Sequence, residues 1–138
     1  MPTAYQASRG TGMHGAAYGL TGGLAVAIIF LGTQYVVTPW ATTSSFGLPR
    51  TADDAVTASW LCLKGVRDIV AGLTVFAFMV WGGPKMVGII FVVEAIIPFG
   101  DMSVILAASG STKSAFGIHG FTALLMLLAG VPLALGAV

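Results

Sequence analysis

Charged side chains are scarce in this sequence. Six Lys and Arg with five Asp and Glu make up 8% of 138 residues and leave a net charge of +1, whereas a soluble domain carries about a quarter charged residues. No basic field exists to attract nucleic acid or anionic lipid. With 57% hydrophobic residues and a mean hydropathy of +0.94, the composition argues against a water-soluble enzyme, a nucleic-acid binder and a disordered regulator. A polytopic membrane protein remains.

Cysteine and histidine are scarce as well. Cys62 is the single cysteine, so neither an internal disulfide nor a thiolate metal cluster can form. The two histidines, His14 and His119, fall on opposite sides of the predicted membrane, so they cannot share a metal ion or sandwich a haem. We therefore expect no metal site and no cofactor.

Long apolar runs are abundant. A helix needs about 20 mostly apolar residues to cross about 30 Å of hydrocarbon. Four segments qualify: about 16–37, 60–81, 85–106 and 115–137. We therefore predict an all-α polytopic membrane protein, a four-transmembrane-helix bundle that forms a single membrane domain over residues 1–138. Such a chain is a multi-pass integral protein of the plasma membrane, or of the inner membrane in a bacterium.

The second predicted span is unusual because its uncharged part, residues 69–81, is too short to cross a bilayer. It can span only if it takes three charged residues with it: Lys64, Arg67 and Asp68. Trp60 and Trp81 would lie about 31 Å apart along a helix, which matches the two interfaces that tryptophan prefers. The alternative is a short re-entrant or surface helix.

The connections carry turn and helix signals. The first, residues 38–59, is the longest and is the best candidate for a lid. Within it, Thr51 is a potential N-cap of a short interfacial helix, with Asp54 three residues on. Near the start of the first span, Gly15, Gly19 and Gly23 form a ladder of small residues that permits close helix contact.

Polar residues of all four spans are predicted to converge on one side of the membrane. A charged side chain near mid-membrane costs about 2.5–3.5 kcal/mol on insertion scales, so most must be paired, neutralised or hydrated. The rise per residue places one group of residues in the half nearest the first and third connections: Gln34, Tyr35, Lys64, Arg67, Asp68, Asp101 and His119. Glu94 lies deepest, near the midplane.

Helical phase supports the same convergence. The three charges of the second span follow an i, i+3, i+4 spacing, which favours one face. Glu94, Pro98 and Asp101 follow i, i+4, i+7, again one face. Pro98 cannot donate to the Glu94 carbonyl, which favours a kink there. We expect a polar pocket inside the bundle with Glu94 as its floor.

Each of these residues has a structural and a functional interpretation. The charges of the second span form either an ion pair with a snorkelling lysine or a clamp for an anion or carbonyl group, with Asp68 orienting Arg67. Glu94 and Asp101 are either counter-ions or acid/base groups. His119 is an interfacial hydrogen-bonding group, a proton shuttle or a ligand.

The sequence also resembles a known family. The residues that carry the resemblance are Phe46-Gly47-Leu48-Pro49, then Lys64-Gly65-Val66-Arg67-Asp68-Ile69 with Gly72, then Asp101 and His119. They resemble a domain-of-unknown-function family of small four-helix membrane proteins that is broadly similar to the DoxX-like proteins. The resemblance implies the four-helix bundle and gives weight to the charged residues and His119, but it implies no agreed activity. DoxX-like proteins are associated with membrane redox complexes, which adds a redox-partner role by analogy.

These observations lead to a functional hypothesis. We expect a membrane-embedded protein that binds a lipophilic small molecule and isomerises or cyclises it by cofactor-independent proton transfer. The acid/base candidates are Glu94, Asp101, Asp68 and His119, with Glu94 or Asp101 as the proton donor. The ligand-binding candidates are Lys64, Arg67, Gln34 and Tyr35.

Two other hypotheses remain open. The first is a non-catalytic accessory subunit of a larger membrane complex, redox complexes included, whose charges are structural or pair with a neighbour. The second is a proton- or ion-coupled carrier, for which four short helices without an inverted repeat are poorly suited. The expected partners are membrane lipid, the lipophilic ligand, and either a second copy of the chain or a larger complex, with no nucleic acid.

Overall fold

The computed structural model describes residues 4–49 and 55–137, and within these ranges the chain forms helices and no strand. The helices are α1 (Ala4–Val37), α2 (Pro39–Phe46), α3 (Ala55–Trp81), α4 (Gly83–Glu94), α5 (Ile96–Ala107), α6 (Thr112–Ser114), a π-helical segment (Ala115–Gly120) and α7 (Phe121–Leu135). The predicted all-α class is confirmed for this part of the chain.

Three helical segments are long and apolar enough to cross a membrane: His14–Val37, Gly83–Ala107 and Thr112–Leu135. Each has 24 or 25 residues, about 36 Å of helix, which exceeds the hydrocarbon thickness of about 30 Å. Large apolar side chains on them face outward, such as Phe30 at 60% and Leu128 at 61% exposure, and an apolar surface of this kind suits lipid. By length and composition the chain is a multi-pass membrane protein.

The first connection departs from its prediction. Residues 38–59 are not one loop, because Pro39–Phe46 forms α2 and α3 already begins at Ala55. Pro39 favours the start of α2, since its fixed φ suits the first turn and its missing N–H has no helical partner there. The helix predicted to begin at Thr51 lies outside the described residues.

The third predicted span is interrupted at Ala95, between α4 and α5. Pro98 has no N–H to donate to the Glu94 carbonyl, and the next hydrogen bond, from Phe99 N–H to the Ala95 carbonyl, is long at 3.3 Å. The helix is therefore interrupted where Pro98 predicts a kink, and Glu94 lies directly before the break.

The long helices pack as two pairs, α1 on α3 and α4 on α7. Glycines allow the close approach in both pairs. A Cβ on Gly32 would lie 2.6 Å from the Gly65 carbonyl oxygen, and one on Gly130 would lie 3.1 Å from the Gly88 carbonyl oxygen. Small residues at helix interfaces are typical of membrane proteins, whose helices associate through close packing.

The glycines predicted to mediate helix contact are not the ones that do. A Cβ on Gly15, Gly19 or Gly23 would meet no atom within 4 Å, so that prediction is wrong for the described residues. Spacing alone could not separate this ladder from the glycines that pack, because it does not say which face of α1 meets a neighbour. The buried core where the two pairs meet consists of Ala25, Val75, Phe91, Ala95, Met126 and Ala129.

Gly47 fixes the end of α2 against the third connection. Its φ of 101° lies in the left-handed region that favours glycine, and its carbonyl accepts a hydrogen bond of 2.7 Å from the Ser111 N–H. A Cβ on Gly47 would lie 2.5 Å from the Ser114 Cβ. The short helix α2 is thereby held against the start of the helix that carries His119.

We expect Gly47→Ala to lower the free energy of unfolding by about 2–4 kcal/mol, because the alanine adopts an unfavourable φ and also displaces Ser114. Gly83→Ala is the matched control, since Gly83 has a φ of 73° and open space around it. Gly83→Ala should therefore lower the free energy of unfolding only through the unfavourable φ, by about 1–2 kcal/mol. Denaturant unfolding of both variants in mixed micelles measures the difference. Equal losses would contradict the packing of α2 on Ser114.

Candidate functional site

A cavity of about 200 Å³ lies between the two helix pairs, beneath Phe46 of α2. Most of its wall is apolar and includes Leu24, Ile28, Ala71, Ile97 and Met126. Its polar and ionisable lining residues are Tyr35, Lys64, Asp68, Glu94, Asp101, His119 and Thr122. The cavity therefore combines the apolar lining that is typical of ligand sites with a small set of convergent polar groups.

An ion-pair cluster occupies one end of the cavity. The Lys64 Nζ lies 2.9 Å from the Asp68 Oδ2 and 3.4 Å from the Asp101 Oδ2. Lys64 and Asp68 are one helical turn apart on α3, whereas Asp101 comes from α5. Asp68 is 4% exposed, and a carboxylate so far from water needs a cation to offset its desolvation. The cluster thus joins the two helix pairs through charge.

Two aromatic rings cover the lysine of this cluster. The Lys64 Nζ lies 5.3 Å from the centre of the Tyr35 ring and 5.1 Å from the centre of the Phe46 ring. At such distances the ring faces attract the ammonium group. Tyr35 comes from α1 and Phe46 from α2, so four helices contribute to one cation environment.

His119 links the cluster to α2. Its Nδ1 lies 3.6 Å from the Asp101 Oδ2, and its Nε2 lies 3.1 Å from the Phe46 carbonyl oxygen. The Phe46 ring also packs edge-on against the imidazole, with centres 4.8 Å apart. The two ring nitrogens therefore face oxygen atoms on different elements, the Asp101 carboxylate of α5 and the Phe46 carbonyl of α2.

His119 lies in the π-helical segment between α6 and α7, where the chain departs from α-helical geometry. Its ring is buried, at 9% exposure. Short π-helical stretches inside α-helices occur frequently at functional sites. Gly120 follows directly, and a Cβ there would lie 2.9 Å from the Met102 Sδ of α5. The glycine therefore permits α5, which carries Asp101, to approach His119.

Glu94 lies at the other end of the cavity. It is half-buried, it lines the cavity, and it is seven residues, about 10 Å of helix, from Asp101. Among the described residues no hydrogen bond or ion pair engages its carboxyl group. The structure thus brings Glu94 to the same cavity as the polar cluster, while its depth in the membrane and its chemical role stay predictions.

Two residues predicted for the site do not line the cavity. Arg67 is exposed on the outer face of α3. The Gln34 amide oxygen accepts a hydrogen bond of 3.1 Å from the Thr38 hydroxyl, away from the cavity. The expectation that Arg67 shares the pocket with Lys64 and Asp68, held in place by Asp68, is corrected by this placement.

Phe46 lines the cavity although the sequence did not predict it there. It stood inside a predicted loop, and nothing in its spacing placed it over a cavity. Pro39 and Gly47 are signals for a short helix that ends at Phe46, but neither of them places the Phe46 ring over a cavity. Thr122 lines the cavity one turn after His119 and was not predicted either. Its hydroxyl donates a hydrogen bond to the Ile118 carbonyl of its own helix, as a threonine can in any helix, so its presence in the sequence does not indicate a site.

Metal ligands are not clustered in the described ranges 4–49 and 55–137, where no group of three His, Cys, Asp or Glu side chains could hold a metal ion. What the arrangement offers instead is proton chemistry. Carboxyl groups of Glu94 and Asp101 and the imidazole of His119 face one space, and such groups transfer protons without a cofactor.

The fold and the cavity together define a small helical membrane protein with an internal polar site. The chain belongs to the family called domain of unknown function (DUF4267), whose model matches residues 25–133. That range contains Tyr35, Phe46 and all the ionisable cavity residues. The prediction of a domain-of-unknown-function family is confirmed, and the wider likeness to DoxX-like proteins stays a prediction. No curated protein and no solved structure matches the chain.

Proposed function

We propose that α3 is a fourth membrane span, so that the chain forms a four-helix membrane bundle. Its 27 residues extend about 40 Å, and it packs along α1. Of its three charges, Lys64 and Asp68 turn inward and pair. Arg67 lies about 10 Å along the helix from Trp60, a depth from which a long side chain reaches the interface by snorkelling. Trp60 and Trp81 are both exposed at positions suited to the two interfaces.

We propose that the cavity binds a lipophilic small molecule that carries a polar group. The observation that carries this proposal is the division of one cavity into an apolar wall and a polar end. The wall accepts a hydrocarbon body, while the polar side chains of the lining orient an oxygen or nitrogen function. A bilayer-dissolved ligand would enter beneath α2, whose Phe46 covers the polar end.

We further propose that the bound molecule undergoes a proton-transfer reaction, such as an isomerisation or a cyclisation. The Asp101 Oδ2 lies 3.6 Å from the His119 Nδ1, a separation across which a proton passes once the contact shortens or through one water molecule. Glu94 supplies a second carboxyl group that lines the same cavity. One group would deliver a proton while another accepts one, which requires no cofactor. Asp68, paired closely with Lys64, then acts as a positioning residue.

Native mass spectrometry of the protein purified in mild detergent tests ligand binding. We expect the wild type to carry a small molecule and Ala71→Phe to lose it, because Ala71 lines the cavity and the larger ring fills it. Leu73→Phe is the matched control, since Leu73 lies on the same helix at 54% exposure and outside the cavity. We expect this variant to retain the ligand.

The outcomes separate the hypotheses. Retention of the molecule by Ala71→Phe contradicts binding in this cavity. Co-migration of the wild type with larger foreign subunits and no small molecule favours the accessory-subunit function. Incubation in D₂O followed by ligand extraction tests the chemistry, because proton transfer at carbon incorporates deuterium. Loss of that label in Asp101→Asn, with the ligand still bound, is the expected result.

A further inference from the structure

Glu94 differs from the other charged residues of the cavity and from His119. Lys64, Asp68, Asp101 and His119 each contact at least one partner of the polar end. Glu94 contacts none within the described part of the chain, although it lines the same cavity. A carboxyl group near the middle of a membrane is costly unless something pairs with it. The missing partner is therefore expected to be the ligand.

The charge of the lining restricts which ligand can supply that partner. At the polar end, Asp68 and Asp101 face Lys64 and His119, so this end is neutral when the imidazole is protonated and negative when it is not. Glu94 adds no positive charge. The ammonium of Lys64 is already held by two carboxylates and covered by two rings. Among the described residues that line the cavity, an anionic ligand thus meets no cation that is not already paired with a carboxylate.

We propose that the ligand is a lipophilic amine whose nitrogen binds the Glu94 carboxyl group while its hydrocarbon lies on the apolar wall. This inference rests on the proposed ligand-binding function and names the class of ligand. A carboxyl group and an amine share one proton, and the pair has no net charge whichever of the two holds it. Such a pair therefore avoids leaving an unpaired charge in an apolar region. A hydroxyl group forms a hydrogen bond there without this charge assistance.

The cavity also limits the size of the probe. A cavity of about 150 Å³ accommodates benzene, so by the same ratio about 200 Å³ accommodates on the order of eight non-hydrogen atoms. Octylamine, 1-octanol and octanoate match this size. They share one eight-carbon chain and differ in the polar group, so the comparison isolates the chemistry that Glu94 recognises.

Titrations of the full chain in phosphatidylcholine nanodiscs, read by native mass spectrometry, test the proposal. We expect the wild type to bind octylamine about ten- to a hundred-fold more tightly than 1-octanol, and octanoate most weakly, in keeping with charge-assisted hydrogen bonding. Glu94→Gln should bind octylamine at least about tenfold more weakly than the wild type does, and its affinity for 1-octanol should change little. Arg67→Gln, which removes an exposed charge outside the cavity, should bind all three probes as the wild type does.

The results distinguish failure of this inference from failure of the proposed function. Equal or tighter binding of 1-octanol or octanoate, blocked by Ala71→Phe, overturns the amine and leaves the binding function standing. Absence of binding for all three probes, with wild type and Ala71→Phe alike, overturns both. Glu94→Asp is the second variant, and it tests the proposal even if Glu94→Gln does not fold. It keeps the carboxyl group and should therefore still bind octylamine more tightly than 1-octanol. Loss of that preference in a folded Glu94→Asp also counts against the proposal.

Discussion

Lys64→Met is expected to lower the free energy of unfolding by about 2–4 kcal/mol. Removal of one partner of a buried ion pair leaves the other charge without compensation, and Asp68 is 4% exposed. The value lies toward the lower part of the range for buried pairs, because 23% of the Lys64 side chain is exposed. Methionine keeps most of the hydrocarbon volume of lysine, so the decrease in the free energy of unfolding measures the effect of removing the charge. Unfolding in mixed micelles with increasing denaturing detergent measures it.

Two further variants make this prediction specific. Arg67→Met removes a charge from the outer face of the same helix and should change stability by no more than about 0.5 kcal/mol. The double variant Lys64→Met with Asp68→Leu should recover most of the loss, because an apolar pair replaces a buried ion pair at little cost. If Lys64→Met proves as mild as Arg67→Met, the ion-pair cluster does not stabilise the fold.

Gly65→Leu is expected to destabilise the protein by about 3 kcal/mol or more, or to prevent folding. A Cβ on Gly65 would lie 2.5 Å from the Gly32 carbonyl oxygen and 2.9 Å from the Tyr35 Cβ. Backbone atoms cannot move aside as a flexible side chain can, so α1 and α3 must separate, and overpacking of this kind costs about 1–3 kcal/mol even in forgiving sites. Thermal unfolding and the yield of monodisperse protein report the effect.

Gly19→Leu is the matched control for this substitution. Gly19 lies on α1 as well, but a Cβ there would meet no atom within 4 Å. The same change of side chain should therefore cost nothing through packing, and the better helix propensity of leucine should add a small stabilisation. A large loss in Gly19→Leu would show that an unseen partner covers this face of α1.

Several features followed directly from the sequence, because each rests on local chemistry. Apolar runs of sufficient length predict helices that cross a membrane, and three of them are present as helical segments. Pro98 predicts the break at Ala95, since a missing N–H acts on its own helix and needs no neighbour. The depth of Lys64, Asp68 and Asp101 follows from rise per residue alone, which explains why their convergence could be expected.

Other features depend on contacts between distant segments, and these the sequence did not reveal. Spacings of i+3 and i+4 place Arg67 and Asp68 about 100° apart around the helix, so both appear close to Lys64. The cavity lies on the side of α3 that carries Asp68, because α5 places Asp101 beside Lys64 on that side. The spacing within α3 does not contain this information. Phe46 covers the cavity because Gly47 bonds to Ser111, 64 residues later in the chain, and no local pattern contains that information.

The break at Ala95 divides the helical segment Gly83–Ala107 into α4 and α5, which pack against different parts of the protein. Below it, α4 packs on α7 through the close contact of Gly88 with Gly130. Above it, α5 packs mainly on the π-helical segment, and the cavity lies beside the junction. A small change in the tilt of α5 would therefore widen the cavity while the glycine contact below stays closed. For the ligand that we propose, the acceptable size then depends on the angle between α4 and α5 as well as on the volume of the cavity.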